Sequence, residues 1–378
     1  MSSKLPNSGQ SIFAVMSGLA NQHGAINLSQ GFPDFNPDKN LLRLVTEGMR
    51  KGFNQYAPMP GLMALRESIA EKTESLYGVS YNPETEVTVV PGATYGIFAA
   101  ISSVIREDDE VILFEPAYDC YVPAIELNGG KPIRVELKFP DFNIDWSEVA
   151  KLITFRTKMI IINTPHNPSG SVLKEEDMHQ LAKLVNGSDI VVLSDEVYEH
   201  ILFDNKKHHS AALYPELAER SFIVSSFGKT YHTTGWKMGY VVAPENLTTE
   251  LRKVHQFLAF STSSPMQYAY AEILKDPSTY TELNDFYQEK RDYFAQLVRG
   301  SRFEVLSCYG SYFQLLKYSK ITDERDEEFA KRLTIEHGIA SIPISVFYRN
   351  KTDNQVLRFC FAKSKETLEK AAEVLCKI

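Results

Sequence analysis

Short apolar runs recur along the first two thirds of the chain, with helical patterns between them. Val87–Val90 (VTVV), Glu110–Phe114 (EVILF), Pro132–Leu137 (PIRVEL), Met159–Ile162 (MIII), Ile190–Leu193 (IVVL), Phe222–Ser225 (FIVS) and Gly239–Val242 (GYVV) are predicted strands. Most are β-branched and apolar on both faces, as in a buried, largely parallel sheet. Ala93–Ile105, Glu175–Val185 and Thr248–Phe260 carry apolar residues at helical spacing. This alternation predicts an α/β domain over residues 45–275, a mostly parallel, mixed seven-stranded sheet wrapped by helices.

After Pro265 the texture changes. Pro277–Arg299 reads as a long charged helix, followed by strands at Phe303–Leu306 and Tyr312–Leu316. A helix at Glu324–Glu336, a strand at Val356–Phe361 and a terminal helix from Lys365 complete a smaller α+β domain over residues 276–378. Residues 1–44 show no strand of their own and are expected to pack with that domain as an N-terminal arm. Ile12–Ala20 reads as an amphipathic helix. A helix is expected there rather than a signal-peptide core, because no basic stretch directly precedes it and Ser17 and Gly18 interrupt it.

Composition narrows the function. With 378 residues, 22 Phe and 19 Tyr the chain can bury a large core, and disorder is excluded. A formal charge of −8 and the lack of a basic stripe argue against a nucleic-acid partner. No apolar run approaches the roughly 20 residues that span a bilayer. Cys120, Cys308, Cys360 and Cys376 form no CxxC pair, which favours a reducing, cytoplasmic setting without disulfides or structural zinc. His208 and His209 are adjacent, and His166, His200 and His232 lie near motifs. Their spacing suits no metal site, so they are read as surface histidines.

The unusual residues fall just past the predicted strands. Gly92-Ala93-Thr94, Glu115-Pro116-Ala117-Tyr118, Asn163–Pro168 (NTPHNP), Asp195–Tyr198 (DEVY) and Ser226–Lys229 (SFGK) each follow one. Ligands of open α/β sheets bind outside the carboxyl ends of strands, so five segments converge on one crevice. Gly228-Lys229-Thr230 is not a phosphate-binding P-loop, because Ile223 stands where that motif needs glycine. No GxGxxG occurs. A strand-end lysine, a strand-end aspartate and several hydroxyls remain. A lysine can form a Schiff base with an aldehyde cofactor, and a carboxylate can keep a pyridine nitrogen protonated, so the set fits pyridoxal 5′-phosphate. On the residues alone, Asp195 reads equally well as a helix N-cap.

Ser225–Tyr240 (SSFGKTYHTTGWKMGY) resembles the cofactor-lysine motif of the class I/II, fold-type I aminotransferases. Asn27–Phe35 (NLSQGFPDF), Asn54–Ala57 (NQYA), Asn163–Gly170 (NTPHNPSG), Ser194–His200 (SDEVYEH) and Arg358–Lys363 (RFCFAK) match the same family in order. Within it, the chain is most similar to methionine aminotransferases and kynurenine–oxoglutarate transaminases.

The resemblance implies a large pyridoxal-phosphate domain, a smaller domain, and ping-pong transfer of an amino group from a large neutral amino acid to a 2-oxo acid. The alternative within the same chemistry is a cysteine-conjugate or cystathionine β-lyase. Lys229, Asp195 and Tyr198 would be the catalytic set, with Lys229 carrying the cofactor. Ala93, Thr94, Ser226 and Lys237 would hold its phosphate, Tyr118 would stack on its ring, and Asn167 and Tyr198 would meet its phenolic oxygen. Tyr56 would reach the phosphate of the other subunit, implying a homodimer. Arg358, Gly31, Asn167 and Phe13 would bind substrate, with Tyr56, Tyr95 and Tyr118 adding rings to its wall. Lys237 stands where many relatives have arginine, giving a point charge in place of a fork. A structural salt bridge at Arg358, and a side-chain role for Arg252 or Arg349, stay open.

Overall fold

The structure, a computed structural model, describes residues 3–6 and 9–378. Its strands are β1 (Ile26–Asn27), β2 (Val87–Val90), β3 (Glu110–Glu115), β4 (Lys131–Glu136), β5 (Thr157–Asn163), β6 (Val191–Asp195), β7 (Ser221–Ser226), β8 (Gly239–Val242), β9 (Glu304–Val305), β10 (Phe313–Lys317), β11 (Ile339–Ala340), β12 (Ile342–Pro343) and β13 (Val356–Cys360). The large sheet has the order β2-β8-β7-β6-β5-β3-β4. Only β8 runs against its neighbours in it. β3 and β6 are buried along their whole length, which explains their apolar sequences.

This topology sets the crevice. β4 lies on one side of β3 and β5 on the other, so the connections after β3 and β5 part at the carboxyl edge. The carboxyl ends of β2, β6 and β7 and the start of β8 share that edge. The helix after β2, Ala93–Val104, points its N-terminus into it. Close approach there depends on Gly239, where a Cβ would stand 2.7 Å from Ser225 O and 3.1 Å from Ala93 N.

The remaining strands form a four-stranded sheet, β12-β13-β10-β9, and a two-stranded sheet, β1-β11. The N-terminal arm does contribute a strand, against the sequence expectation. β1 pairs in parallel with β11, and Cys360 N donates to Leu28 O across 2.8 Å. This stitching carries the segment 28–31 over the mouth of the crevice. The expected helix at Pro277–Arg299 is two, Ser278–Thr281 and Leu283–Val298. Among the described residues no helix is long and apolar enough to cross a membrane.

Candidate active site

The strand ends line a pocket that brings together Ala93, Thr94, Tyr118, Asn167, Asp195, Tyr198, Ser226, Lys229 and Lys237. Its floor is Asp195, the last residue of β6. Burial pushes the Asp195 pKa up to about 6, although Tyr121, Val197 and Lys229 pull the other way. Tyr121 donates its hydroxyl hydrogen to Asp195 Oδ2 across 2.5 Å, a partner the sequence reading missed. Asp195 does not act mainly as a helix cap. Its contact with Val197 N is a weak 3.4 Å, and no helix follows it directly. Asn163 fixes the neighbouring loop. Its amide donates to Asp195 O at 2.9 Å and its oxygen accepts from Asn167 N at 2.9 Å.

Lys229 lies in the short helix Phe227–Thr230 after β7. Its stem is covered, and desolvation of the amine brings its pKa down to about 8. The amine donates to Gly31 O at 3.2 Å and to the Tyr312 hydroxyl at 2.9 Å. Gly31 must be glycine for this approach, because a Cβ there would stand 2.6 Å from Phe313 Cζ. Tyr198 is buried beside them, with Lys229 Nζ 5.6 Å from its ring centre.

The other end of the pocket suits an anion. Ala93 and Thr94 open a twelve-residue helix, so their N–H groups have no helical acceptor, and the dipole favours negative charge. Lys237 Nζ stands beside Gly92, and among the described residues it makes no ion pair. Lys237 holds a left-handed backbone, φ 55°, a conformation uncommon for a residue with a side chain. Ser226 lines the same end. One pocket therefore presents an anion cradle, a partly neutral amine and an unpaired buried carboxylate. That donor set fits a phosphorylated pyridine aldehyde.

Arg358, on β13, is fully buried. Its guanidinium donates to Asn167 Oδ1 at 2.7 Å and to Ser29 O at 2.8 Å, while Nε has no partner. It lies 3.8 Å from the Phe313 ring centre and 5.1 Å from that of Phe13. Among the described residues Arg358 makes no salt bridge, which leaves its charge available to a carboxylate.

Beneath the floor lies a buried polar network. Glu199 accepts from Lys72 Nζ at 2.7 Å, Tyr77 Oη at 2.7 Å, Ser225 Oγ at 2.8 Å and Tyr240 Oη at 3.1 Å. Burial works to raise its pKa, but Lys72, with His200 and His208, outweighs it and holds the carboxyl well below the usual carboxylate range. Glu196 accepts from Ser194 Oγ and His208 Nε2, each at 2.7 Å. Asp195 and Tyr198 line the pocket while Glu196 and Glu199 anchor the same segment from behind.

Several expectations are corrected. The histidines are not surface residues. His166 and His200 are buried, His166 Nδ1 meets Ser169 Oγ at 2.6 Å, and the His208 side chain is 5% exposed against Glu196. His232 packs edge-on to Phe35. Tyr95 turns away from the pocket, its hydroxyl 2.9 Å from His255 Nδ1. Arg252 is engaged elsewhere, donating to Thr88 Oγ1, Glu84 O and Val87 O. Tyr56, which is expected to reach the other subunit's phosphate, is 85% exposed and edge-on to Phe260.

This fold and site define a pyridoxal-phosphate-dependent aminotransferase. The sequence matches the family Aminotransferase class I and II over residues 23–375, and the chain belongs to that family. It is 50% identical to a methionine aminotransferase of Escherichia coli, covering 99% of this chain and 97% of that protein. It is 35% identical to a kynurenine–oxoglutarate transaminase of Dictyostelium discoideum, over 98% of this chain and 94% of that one. A solved structure from Escherichia coli, described as having a methionine aminotransferase function, superposes with a TM-score of 0.98 at 49% identity, covering 100% of this chain and 99% of that one.

Proposed function

We propose that this enzyme moves the amino group of a large neutral L-amino acid, such as methionine, an aromatic amino acid, glutamine or kynurenine, to a 2-oxo acid. The observation that carries the reading is Arg358. It is a buried cation with an unpartnered N–H, walled by the rings of Phe13 and Phe313. Rings favour apolar, sulfur and aromatic side chains. A site for aspartate or glutamate needs a second cation facing the side-chain carboxylate. The cations lining the pocket are Lys229 and Lys237, and both have other work. The methionine aminotransferase at 50% identity and the kynurenine–oxoglutarate transaminase at 35% point the same way.

Pyridoxal phosphate, when bound, supplies an aldehyde for amine exchange and a ring that draws electrons from the substrate α-carbon. Lys229 would bind the aldehyde end and, once a substrate amine displaces it, its freed amine would carry the proton taken from the substrate α-carbon. Asp195 would hold the proton on the ring nitrogen, with Tyr121 hydrogen-bonded to its carboxylate. Tyr118 would pack on the ring, and Tyr198 and Asn167 would hold its phenolic oxygen. Ala93, Thr94, Ser226 and Lys237 would hold the phosphate. Arg358, with Asn167 and the Gly31 backbone, would bind the substrate α-carboxylate and orient the α-carbon for proton removal.

The same reading takes residues 45–275 as the cofactor-holding unit, with 1–44 and 276–378 closing over it. It places the enzyme in the cytoplasm as a homodimer. The exposed ring of Tyr56, edge-on to the exposed ring of Phe260, supports a neighbouring subunit seated there.

Two measurements test the reading. Borohydride reduction and peptide mapping should place the pyridoxyl group on Lys229. A donor panel with a fixed oxo-acid acceptor should rank methionine and phenylalanine above aspartate in kcat/KM. Aspartate ahead by tenfold, about 1.4 kcal/mol of transition-state binding, defeats the aromatic-wall argument. Pyruvate and thiol released faster than oxo acid forms would establish the β-lyase instead.

A further inference from the structure

The hydroxyl that meets Lys229 in the fold belongs to Tyr312, which the chemistry above leaves without a role. Tyr312 is fully buried just before β10, its ring edge-on to Tyr198 at 5.1 Å. It donates to Gly31 O across 2.6 Å. A phenol has one hydrogen. With that hydrogen committed to Gly31, the oxygen presents only lone pairs to the lysine. Lys229 Nζ in turn donates to both the Tyr312 hydroxyl, at 2.9 Å, and Gly31 O, at 3.2 Å.

A neutral amine carries two hydrogens and one lone pair. These two acceptors take both hydrogens and leave the lone pair unbonded on an amine that lines the pocket. We propose that Tyr312, backed by Gly31 O, is the docking point for the Lys229 amine whenever that amine is not covalently engaged, holding it oriented for proton transfer. The inference rests on Lys229 being the cofactor lysine. Burial of the amine supports it, because a pKa near 8 leaves a neutral fraction that such a cradle can orient. Tyr312 is a positioning residue. Its own proton is spent on Gly31 and does not enter the reaction. Phenylalanine there would preserve the ring packing and remove the acceptor.

The test uses Tyr312→Phe and, to keep shape and polarity, 3-fluorotyrosine incorporated at position 312. In the cofactor-free protein, the rate of covalent pyridoxal phosphate uptake is followed by absorbance against pH. This condensation joins amine to aldehyde and expels water. An acceptor favours the charged amine, so its loss should move the uptake midpoint to lower pH and reduce the high-pH plateau several-fold. In the loaded enzyme, the single half-reaction with saturating amino acid should slow by about tenfold or more, with the amino acid's apparent Kd changed less than about twofold. The fluorinated protein should move the same way by less.

Unchanged midpoint and half-reaction rate in both variants overturn the inference. Peptide mapping of the borohydride-reduced wild type separates the two failures. A label elsewhere than Lys229 defeats the site reading, and a label on Lys229 with wild-type behaviour in the variants defeats only the role of Tyr312.

Discussion

Tyr121 donates its hydroxyl hydrogen to Asp195 Oδ2 across 2.5 Å, and both side chains are buried. A hydrogen bond to the ionised form of a buried acid lowers its pKa and is worth about 1.5–3 kcal/mol. Tyr121→Phe should therefore push Asp195 above its present pKa of about 6 in the cofactor-free protein. The loaded variant should bind pyridoxal phosphate at least tenfold more weakly, with the acidic limb of its kcat profile moved to higher pH. Cofactor titration and rates between pH 5 and 8 check this. An unmoved limb would mean that the bond only packs the ring.

Asp195 also makes a stability prediction. Its folded pKa, about 6 in the absence of cofactor, lies above the ordinary 3.8 because burial disfavours its charge. Its contribution is complete below the unfolded pKa and is lost as pH rises through the folded one. The cofactor-free protein should thus lose up to about 3 kcal/mol from this group between pH 4 and 6. Urea unfolding of wild type and Asp195→Asn across that range should show the wild type falling relative to the variant. A parallel pair of curves would contradict it.

How much of this was legible in the chain differs by feature. The large sheet was legible because β3, β5, β6 and β7 are runs of β-branched residues buried on both sides. β1, β11 and β12 have two residues each, too few to show any period, and they form by pairing across the fold, β1 with β11 and β12 with β13. Lys229 and Asp195 stood out by falling just past predicted strands, and Arg358 as a charge inside the apolar run VLRF. Tyr121 and Tyr312 did not, because a tyrosine in a sequence reads as a core ring, and what its hydroxyl touches is decided by packing. Tyr121 follows Tyr118 in the segment YDCY, the one local signal available. The histidines misled for the same reason, since the partner that allows His208 to be buried is Glu196, on a different turn of chain.

The ion pair behind the floor makes a third prediction. Lys72 and Glu199 are 2.7 Å apart and nearly fully buried. Removing one partner of such a pair leaves a buried, uncompensated charge, at about 3–5 kcal/mol. Lys72→Met should lose that much in urea unfolding. Lys72→Met with Glu199→Gln should recover part of it, because the amide carries no charge while still meeting the hydroxyls of Tyr77 and Ser225. A double variant no more stable than the single would show that the hydroxyl bonds, rather than the charge, decide the cost.

Gly31 links packing to chemistry most directly. Its carbonyl accepts from both Lys229 Nζ and Tyr312, yet a Cβ on it would stand 2.6 Å from Phe313 Cζ and 3.0 Å from Cε1. Phe313 cannot retreat freely, because the Arg358 guanidinium lies over its ring, 3.8 Å from the centre. In Gly31→Ala the backbone must therefore move, carrying the carbonyl away from the amine. Overpacking of this kind costs about 1–3 kcal/mol of stability, which a chain of this size tolerates, so the protein should fold. A carbonyl displaced by even an ångström at a reacting group costs about a hundredfold in rate, so kcat should fall far more than stability. The double variant Gly31→Ala/Phe313→Leu gives the new methyl room and should regain most of the lost kcat. Its KM for amino acid should rise, since Arg358 loses the ring beneath it. A double variant as slow as Gly31→Ala alone would place the defect in the backbone of residue 31 rather than in the collision with Phe313.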